Sequence, residues 1–127
     1  MTTPRILVVE DNPLNVKLIR DVLEFCGFEV LTAQSGEEGV ALARSEKPDL
    51  VLMDLQLPGI GGHEALLQLR SDPGCCDVPV IAVTAFAMKD DIDRAQKAGF
   101  DGYIAKPISV RALPDQLAAF LPGGADA

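Results

Sequence analysis

The sequence predicts an α/β fold in which a parallel sheet is covered by helices, and three observations carry that expectation. Leu50-Val51-Leu52-Met53 is an unbroken apolar run ending on Asp54, the pattern of a strand buried on both faces. Comparable short runs recur along the chain, each followed by a segment of helical periodicity, so five strands alternate with five helices. Right-handed crossovers then make every strand parallel to its neighbours. Finally, the residues best equipped for chemistry stand where those strands end, the edge at which parallel sheets bind ligands.

Arg5 to Val9 is the first strand, closed by Glu10-Asp11-Asn12. Asn12 before Pro13 is a helix start, a capping side chain followed by proline at the first helical position. Leu14, Leu18, Val22 and Cys26 follow at four-residue spacing, with Ile19 and Leu23 beside them, as one apolar face ended by Gly27. Phe28 to Ala33 reads as a second strand at an edge. Ser35-Gly36-Glu37-Glu38 has the form of a capping box and opens a helix running to about Glu46, which Pro48 ends. After the central strand and the Gly59-Ile60-Gly61-Gly62 loop, a third helix carries Leu66, Leu67 and Leu69 inward.

Ser71-Asp72-Pro73-Gly74 is a turn, and Val78 to Thr84 a buried strand with Pro79 at its mouth. A polar helix from about Met88 to Ala98 has Met88, Ile92 and Ala95 on one stripe and stops at Gly99. Gly102 to Ala105 is the fifth strand, before Lys106-Pro107. Ser109 caps a last helix with Val110, Leu113, Leu117, Phe120 and Leu121 facing in. Pro114 predicts a kink or a later start there. Residues 122–127 read as a frayed tail, and the whole of 1–127 as one domain without an output domain.

Composition excludes several classes. A formal net charge of −8, with no basic cluster, argues against direct nucleic-acid binding. No apolar run approaches the roughly 20 residues needed to span a bilayer, so no membrane insertion is expected. Cys26, Cys75 and Cys76 have neither disulfide-framework nor metal-ligand spacing, and read as reduced thiols in a cytoplasmic protein. His63 is read as an exposed helix-start residue, not a ligand.

Glu10, Asp11, Asp54, Thr84 and Lys106 all end strands. If the first and third strands are neighbours, three carboxylates crowd one crevice, and at about 4–5 Å each like-charge pair repels by roughly 3–4 kcal/mol. Such a cluster calls for a cation, and all-oxygen ligands suit Mg²⁺. An aspartate carboxylate there can attack phosphorus and become an aspartyl phosphate. The Lys106 ammonium would offset the incoming charge of about −2, and the Thr84 hydroxyl could donate to a phosphoryl oxygen.

In Val9-Glu10-Asp11-Asn12, Met53-Asp54-Leu55-Gln56-Leu57-Pro58, Thr84-Ala85 and Lys106-Pro107, the chain resembles a response-regulator receiver domain of the CheY-like superfamily over essentially its whole length. The resemblance implies a flavodoxin-like (βα)5 three-layer sandwich, with strand order 2-1-3-4-5 coming from the family. It implies that Asp54 accepts a phosphoryl group from a phosphohistidine on a histidine kinase or phosphotransfer protein. Asp11, Asp54 and the Gln56 backbone carbonyl would ligate Mg²⁺, and Glu10 would act through water. Lys106 would contact the phosphoryl group, and its bond to Pro107 is expected to be cis. Thr84 would move toward the phosphate and Tyr103 would turn inward, switching contacts with a downstream protein target. A monomer or a phosphorylation-dependent dimer is compatible with this.

Pro13, Leu14, Asn15 and Leu18 resemble the surface receivers offer to a phosphohistidine helical bundle. More narrowly, Glu10 to Asn15 with Thr84-Ala85-Phe86-Ala87-Met88 resembles single-domain cell-cycle regulators of the DivK type, a run that receivers of hybrid kinases share in large part. Glu10 stands where aspartate is commoner, and Pro114 falls on the usual output face. Such a domain catalyses only its own phosphorylation and dephosphorylation; as a relay intermediate or phosphate sink it would do the same chemistry. A haloacid-dehalogenase-type phosphatase would need a second carboxylate where Gln56 stands, and Gln56 cannot transfer a proton. A flavodoxin-like carrier of flavin mononucleotide would need a phosphate-cradling loop where Glu10 and Asp11 stand. A receiver that binds partners without phosphorylation would not need the full site.

Overall fold

The computed structural model describes residues 3–57, 59–85, 89–106, 108–109, 111–118 and 120. Strands β1 (Arg5–Val9), β2 (Glu29–Ala33), β3 (Leu50–Asp54), β4 (Val80–Thr84) and β5 (Gly102–Ala105) alternate with helices α1 (Pro13–Phe25), α2 (Gly36–Glu46), α3 (Gly62–Arg70), α4 (Lys89–Ala98) and α5 (Leu113–Ala118). All strand pairs are parallel, in the order β2-β1-β3-β4-β5. The expected sheet, its order and the edge position of β2 are therefore all present.

Side-chain alternation along the strands divides the interior in two. Ile6, Val8, Leu50, Leu52, Ile81, Val83 and Ile104 face Ile19 and Leu23 of α1 and Leu113 and Leu117 of α5. Leu7, Val9, Val51, Met53, Val80 and Ala82 face the other way, onto Val40 and Ala43 of α2, Ala65, Leu66 and Leu69 of α3, and Ala95 of α4. Every residue of β3 is buried, as its apolar run requires.

Local signals set the helix ends. Asn12 Oδ1 accepts from Leu14 N at 2.9 Å and Pro13 begins α1. Ser35 Oγ accepts from Glu38 N at 3.2 Å. Gly27 and Gly99 take φ of +93° and +110° just beyond α1 and α4, a region open to glycine at little cost. Ala112 N donates to Ser109 Oγ at 3.2 Å, yet α5 starts only at Leu113. Pro114 thus occupies the second helical position, where its missing N–H breaks no helical bond; this is the later start that the proline predicts.

Several expectations need correction. The buried line of α1 is Ile19–Leu23; Leu14 and Leu18 are exposed, and so is Cys26. Apolar residues occupy so much of this helix that four-residue spacing alone cannot say which line meets the sheet. On α3, Leu66 and Leu69 turn inward with Ala65, whereas Leu67 is exposed, a helix having room for only one such stripe toward the core. Strands β2 and β4 begin at Glu29 and Val80, one and two residues later than the apolar runs suggest. The expected inward positions Met88, Val110 and Leu121, the Pro107 peptide and the tail from residue 122 lie outside the described residues. All three cysteines are free. Among the described residues, no helix is long and apolar enough to cross a membrane.

Candidate functional site

Strand register decides which side chains meet. Val9 lies opposite Met53, so the following residues, Glu10 and Asp54, share one rim of the sheet. Asp54 lies opposite Val83 and Thr84 opposite Ala105, which brings Thr84 and then Lys106 to the same rim. Lys106 N donates to Thr84 O at 2.8 Å, extending the last ladder by one bond.

Asp54 is 2% exposed, yet both of its oxygens are engaged. Oδ1 accepts from Gln56 N at 2.9 Å, a tight turn that fixes the carboxylate's orientation. Oδ2 accepts from Lys106 Nζ at 2.9 Å, a charge-assisted bond. Glu10 is equally buried, and its Oε2 accepts from Asn12 N at 3.1 Å. Lys106 Nζ also lies 3.2 Å from Glu10 Oε1, an ion-pair distance, and that oxygen has no hydrogen-bond partner. Asp11, by contrast, is exposed. One oxygen from each of Glu10, Asp11 and Asp54 lies within 4.8 Å of the other two.

Three carboxylates against one ammonium leave the rim short of positive charge. Burial raises the Glu10 carboxyl above its ordinary value, and the Asp54 hydrogen bond and negative charge push the same way, opposed by the Asn12 N–H and by Lys106. For Lys106, burial disfavours the ammonium, but the Asp54 hydrogen bond and charge, with help from Glu10, outweigh it and raise its value. A buried carboxylate oxygen without a hydrogen bond, beside two further carboxylates, is a donor set that a hard cation completes. The residues present therefore fit a metal.

Thr84 is buried at the end of β4, while Tyr103 on β5 is 43% exposed and faces outward. The Gln56 side chain is exposed. Pro13, Leu14 and Leu18 are exposed on α1, with Asn15 half-buried; of these only Pro13 lines the cleft of about 400 Å³ that reaches Glu10 and Asp11. His63 is exposed at the start of α3, its ring edge-on to Phe100 with centroids 5.4 Å apart.

A β2-β1-β3-β4-β5 sheet with this rim has close counterparts among known proteins. Residues 6–118 match the response regulator receiver domain. The chain belongs to that family. It is 46% identical to the polar-differentiation response regulator DivK of Brucella ovis over 119 residues, which is 94% of this chain and 97% of that one. DivK of Brucella anthropi is also 46% identical, over 91% of this chain and 94% of its own. Among solved structures, the receiver domain of a Pseudomonas aeruginosa sensor histidine kinase is 34% identical with a TM-score of 0.86, covering 94% of this chain and 98% of that one; it holds a magnesium ion coordinated in its active-site cleft. A chemotaxis response regulator of Vibrio cholerae, 24% identical, shares the fold with a TM-score of 0.90 over 94% of this chain and 100% of its own. This protein is therefore a response-regulator receiver, a DivK-like signalling domain.

One receiver residue near the rim carries no periodic or strand-end signal in the sequence. Glu37, in the first turn of α2, reaches across to the loop after β3, where its Oε1 accepts from Ile60 N at 3.3 Å. The capping-box pattern points to Ser35 and Glu38 and passes over Gly36 and Glu37 between them.

Proposed function

We propose that Asp54 is the phosphoacceptor of a two-component or phosphorelay pathway, taking its phosphoryl group from a phosphohistidine on a histidine kinase or phosphotransfer protein. The observation that carries this reading is the Lys106–Asp54 bond of 2.9 Å at a rim where three carboxylates converge. An Asp54 oxygen forms the new bond to phosphorus while the bond from phosphorus to the donor's imidazole nitrogen breaks, leaving the electron pair on that nitrogen. Lys106 stays beside the reacting carboxylate and passes its charge-assisted bond to the phosphoryl oxygens. The Thr84 hydroxyl, one strand over, donates to another. Asp11, Asp54 and the Gln56 carbonyl would hold Mg²⁺, with Glu10 through water; when bound, the ion supplies the positive charge that the rim lacks.

The domain turns over no external metabolite and acts through contacts. Pro13, Leu14, Asn15 and Leu18 form the donor-facing surface, and the exposure of Leu14 and Leu18 supports that role. Phosphorylation draws Thr84 toward the phosphate and Tyr103 inward from its outward position, re-shaping the surface that a downstream target reads. The printed role of the Brucella regulators supports a place in polar differentiation. We place the protein in the cytoplasm, in keeping with its free thiols.

Incubation with Mg²⁺ and a small acyl-phosphate donor tests the reading. Wild-type protein should take up one hydroxylamine-labile phosphate, and Asp54→Asn none. Equal labelling of both proteins, or no labelling of either, overturns it.

A further inference from the structure

The loop between β3 and α3 carries Gln56, and three close approaches hold it. At its start, Gln56 N is bonded to Asp54 Oδ1. At its far end α3 sits directly on the strand, for a Cβ on Gly62 would stand 2.7 Å from Asp54 O. Between these, the first turn of α2 presses on the loop from the side. A Cβ on Gly36 would stand 2.6 Å from Ile60 Cγ1 and 2.7 Å from Ile60 O, and one on Gly59 would stand 2.5 and 2.6 Å from the two Glu37 oxygens. Gly59 itself has φ of +72°, and Gly61 caps α3 with no side-chain hydrogen bond. A segment this rich in glycine and without a cap of its own has little local reason to keep one shape. Beyond the Asp54 bond to Gln56 N, its side-chain anchor comes from the neighbouring helix.

We propose that Glu37 is a positioning residue for the metal site: by accepting from Ile60 N and lying against Gly59, it fixes the loop and so aims the Gln56 carbonyl at the acidic rim. This inference rests on the phosphoacceptor reading for its purpose and on the geometry above for its content. At 3.3 Å the bond is long for N–H···O, so its contribution comes jointly with the close Gly59 contact. A plainer account of Glu37 exists, because a carboxylate in the first turn of a helix is favoured by the free N–H groups there. The two accounts separate on glutamine, which keeps the acceptor oxygen and loses the charge.

The test is calorimetric titration of the full chain with Mg²⁺, alongside phosphorylation by the small donor at limiting and saturating Mg²⁺. Glu37→Ala should weaken Mg²⁺ binding roughly tenfold, the lower end for groups that orient metal ligands. Its phosphorylation should slow at limiting Mg²⁺ and recover at saturation, while the thermal midpoint stays close to wild type. Glu37→Gln should restore most of the affinity. Gly59→Ala, which displaces the carboxylate without removing it, should reproduce the loss even if Glu37→Ala fails to fold. Unchanged Mg²⁺ affinity in Glu37→Ala, or equal losses in the alanine and glutamine variants, overturns the inference. If wild type binds Mg²⁺ but takes no phosphate, the phosphoacceptor reading falls while the effect of Glu37 on the metal is still measured. A wild-type chain that binds no Mg²⁺ overturns both.

Discussion

The two rims of the sheet solve opposite problems. At the amino-terminal rim, Arg5 N donates to Asp49 Oδ2 at 2.8 Å and the Arg5 guanidinium meets Glu46 Oε1 at 2.8 Å. Beside them Arg70 bonds Val78 O at 2.7 Å, Gly99 O at 3.3 Å and Asp101 Oδ2 at 2.9 Å, while Val80 N donates to the same Asp101 oxygen at 2.8 Å. Asp49, Glu46 and Asp101 each have an arginine or a backbone N–H for a partner. At the carboxyl-terminal rim Lys106 serves two buried carboxylates, with a third nearby, and one Glu10 oxygen has no hydrogen bond. Each rim thus leaves one buried atom without a hydrogen bond, Arg5 Nε at the first and Glu10 Oε1 at the second; what separates them is charge, since arginines offset the acids at the first, while one ammonium faces three carboxylates at the second.

That contrast can be broken in a definite order. The largest effect should come from Asp54→Asn, which removes the nucleophile and with it all stable phosphate uptake, measured by acid-stable and hydroxylamine-sensitive labelling, while circular dichroism stays native. Next is Lys106→Ala. Loss of one charge-assisted bond at the reacting group should slow phosphorylation by roughly ten- to a hundredfold, read from initial rates at saturating Mg²⁺.

The opposite rim should respond in stability alone. Arg70→Ala strips Asp101 and the carbonyls of Cys76, Val78 and Gly99 of a donor and should cost about 1–3 kcal/mol in urea unfolding, with the phosphorylation rate of the folded protein unchanged. A change in that rate would mean the two rims are coupled and the contrast too simple.

The smallest effect concerns Glu10 and has a sign set by protonation. Its folded-state carboxyl holds a proton more tightly than the unfolded one. Metal-free stability from this group is therefore full below the ordinary glutamate range and lost as pH rises through the raised value. Glu10→Gln should flatten that fall and stabilise the metal-free protein near neutral pH by about 1 kcal/mol. This is a fraction of the roughly 3–4 kcal/mol of one like-charge pair, because Lys106 already offsets part of it. The same substitution should weaken Mg²⁺ binding.

How much of this was legible in the chain depended on the range of the interactions. The β3 run, the Asn12-Pro13 start and the Ser35 cap are local patterns with local causes, and each reads directly. The rim followed because strand ends in a parallel sheet must share an edge. Leu14 and Leu18 misled because hydrophobic spacing reports apolar residues without saying whether a sheet or another molecule covers them. Their exposure instead fits the donor-facing surface proposed for Pro13, Leu14, Asn15 and Leu18. Glu37 stayed hidden because its partner, Ile60, belongs to another element, and no period in either segment announces the pair.

The outward Tyr103 has a practical corollary. The chain contains one tyrosine and no tryptophan, so its ultraviolet emission has a single principal source, set on the strand that leads into Lys106. A ring largely in water is open to aqueous quenchers; one drawn beneath the surface is shielded. Under the inward turn proposed for Tyr103, the native molecule would carry its own optical gauge of phosphorylation, with no dye or engineered fluorophore to disturb the balance.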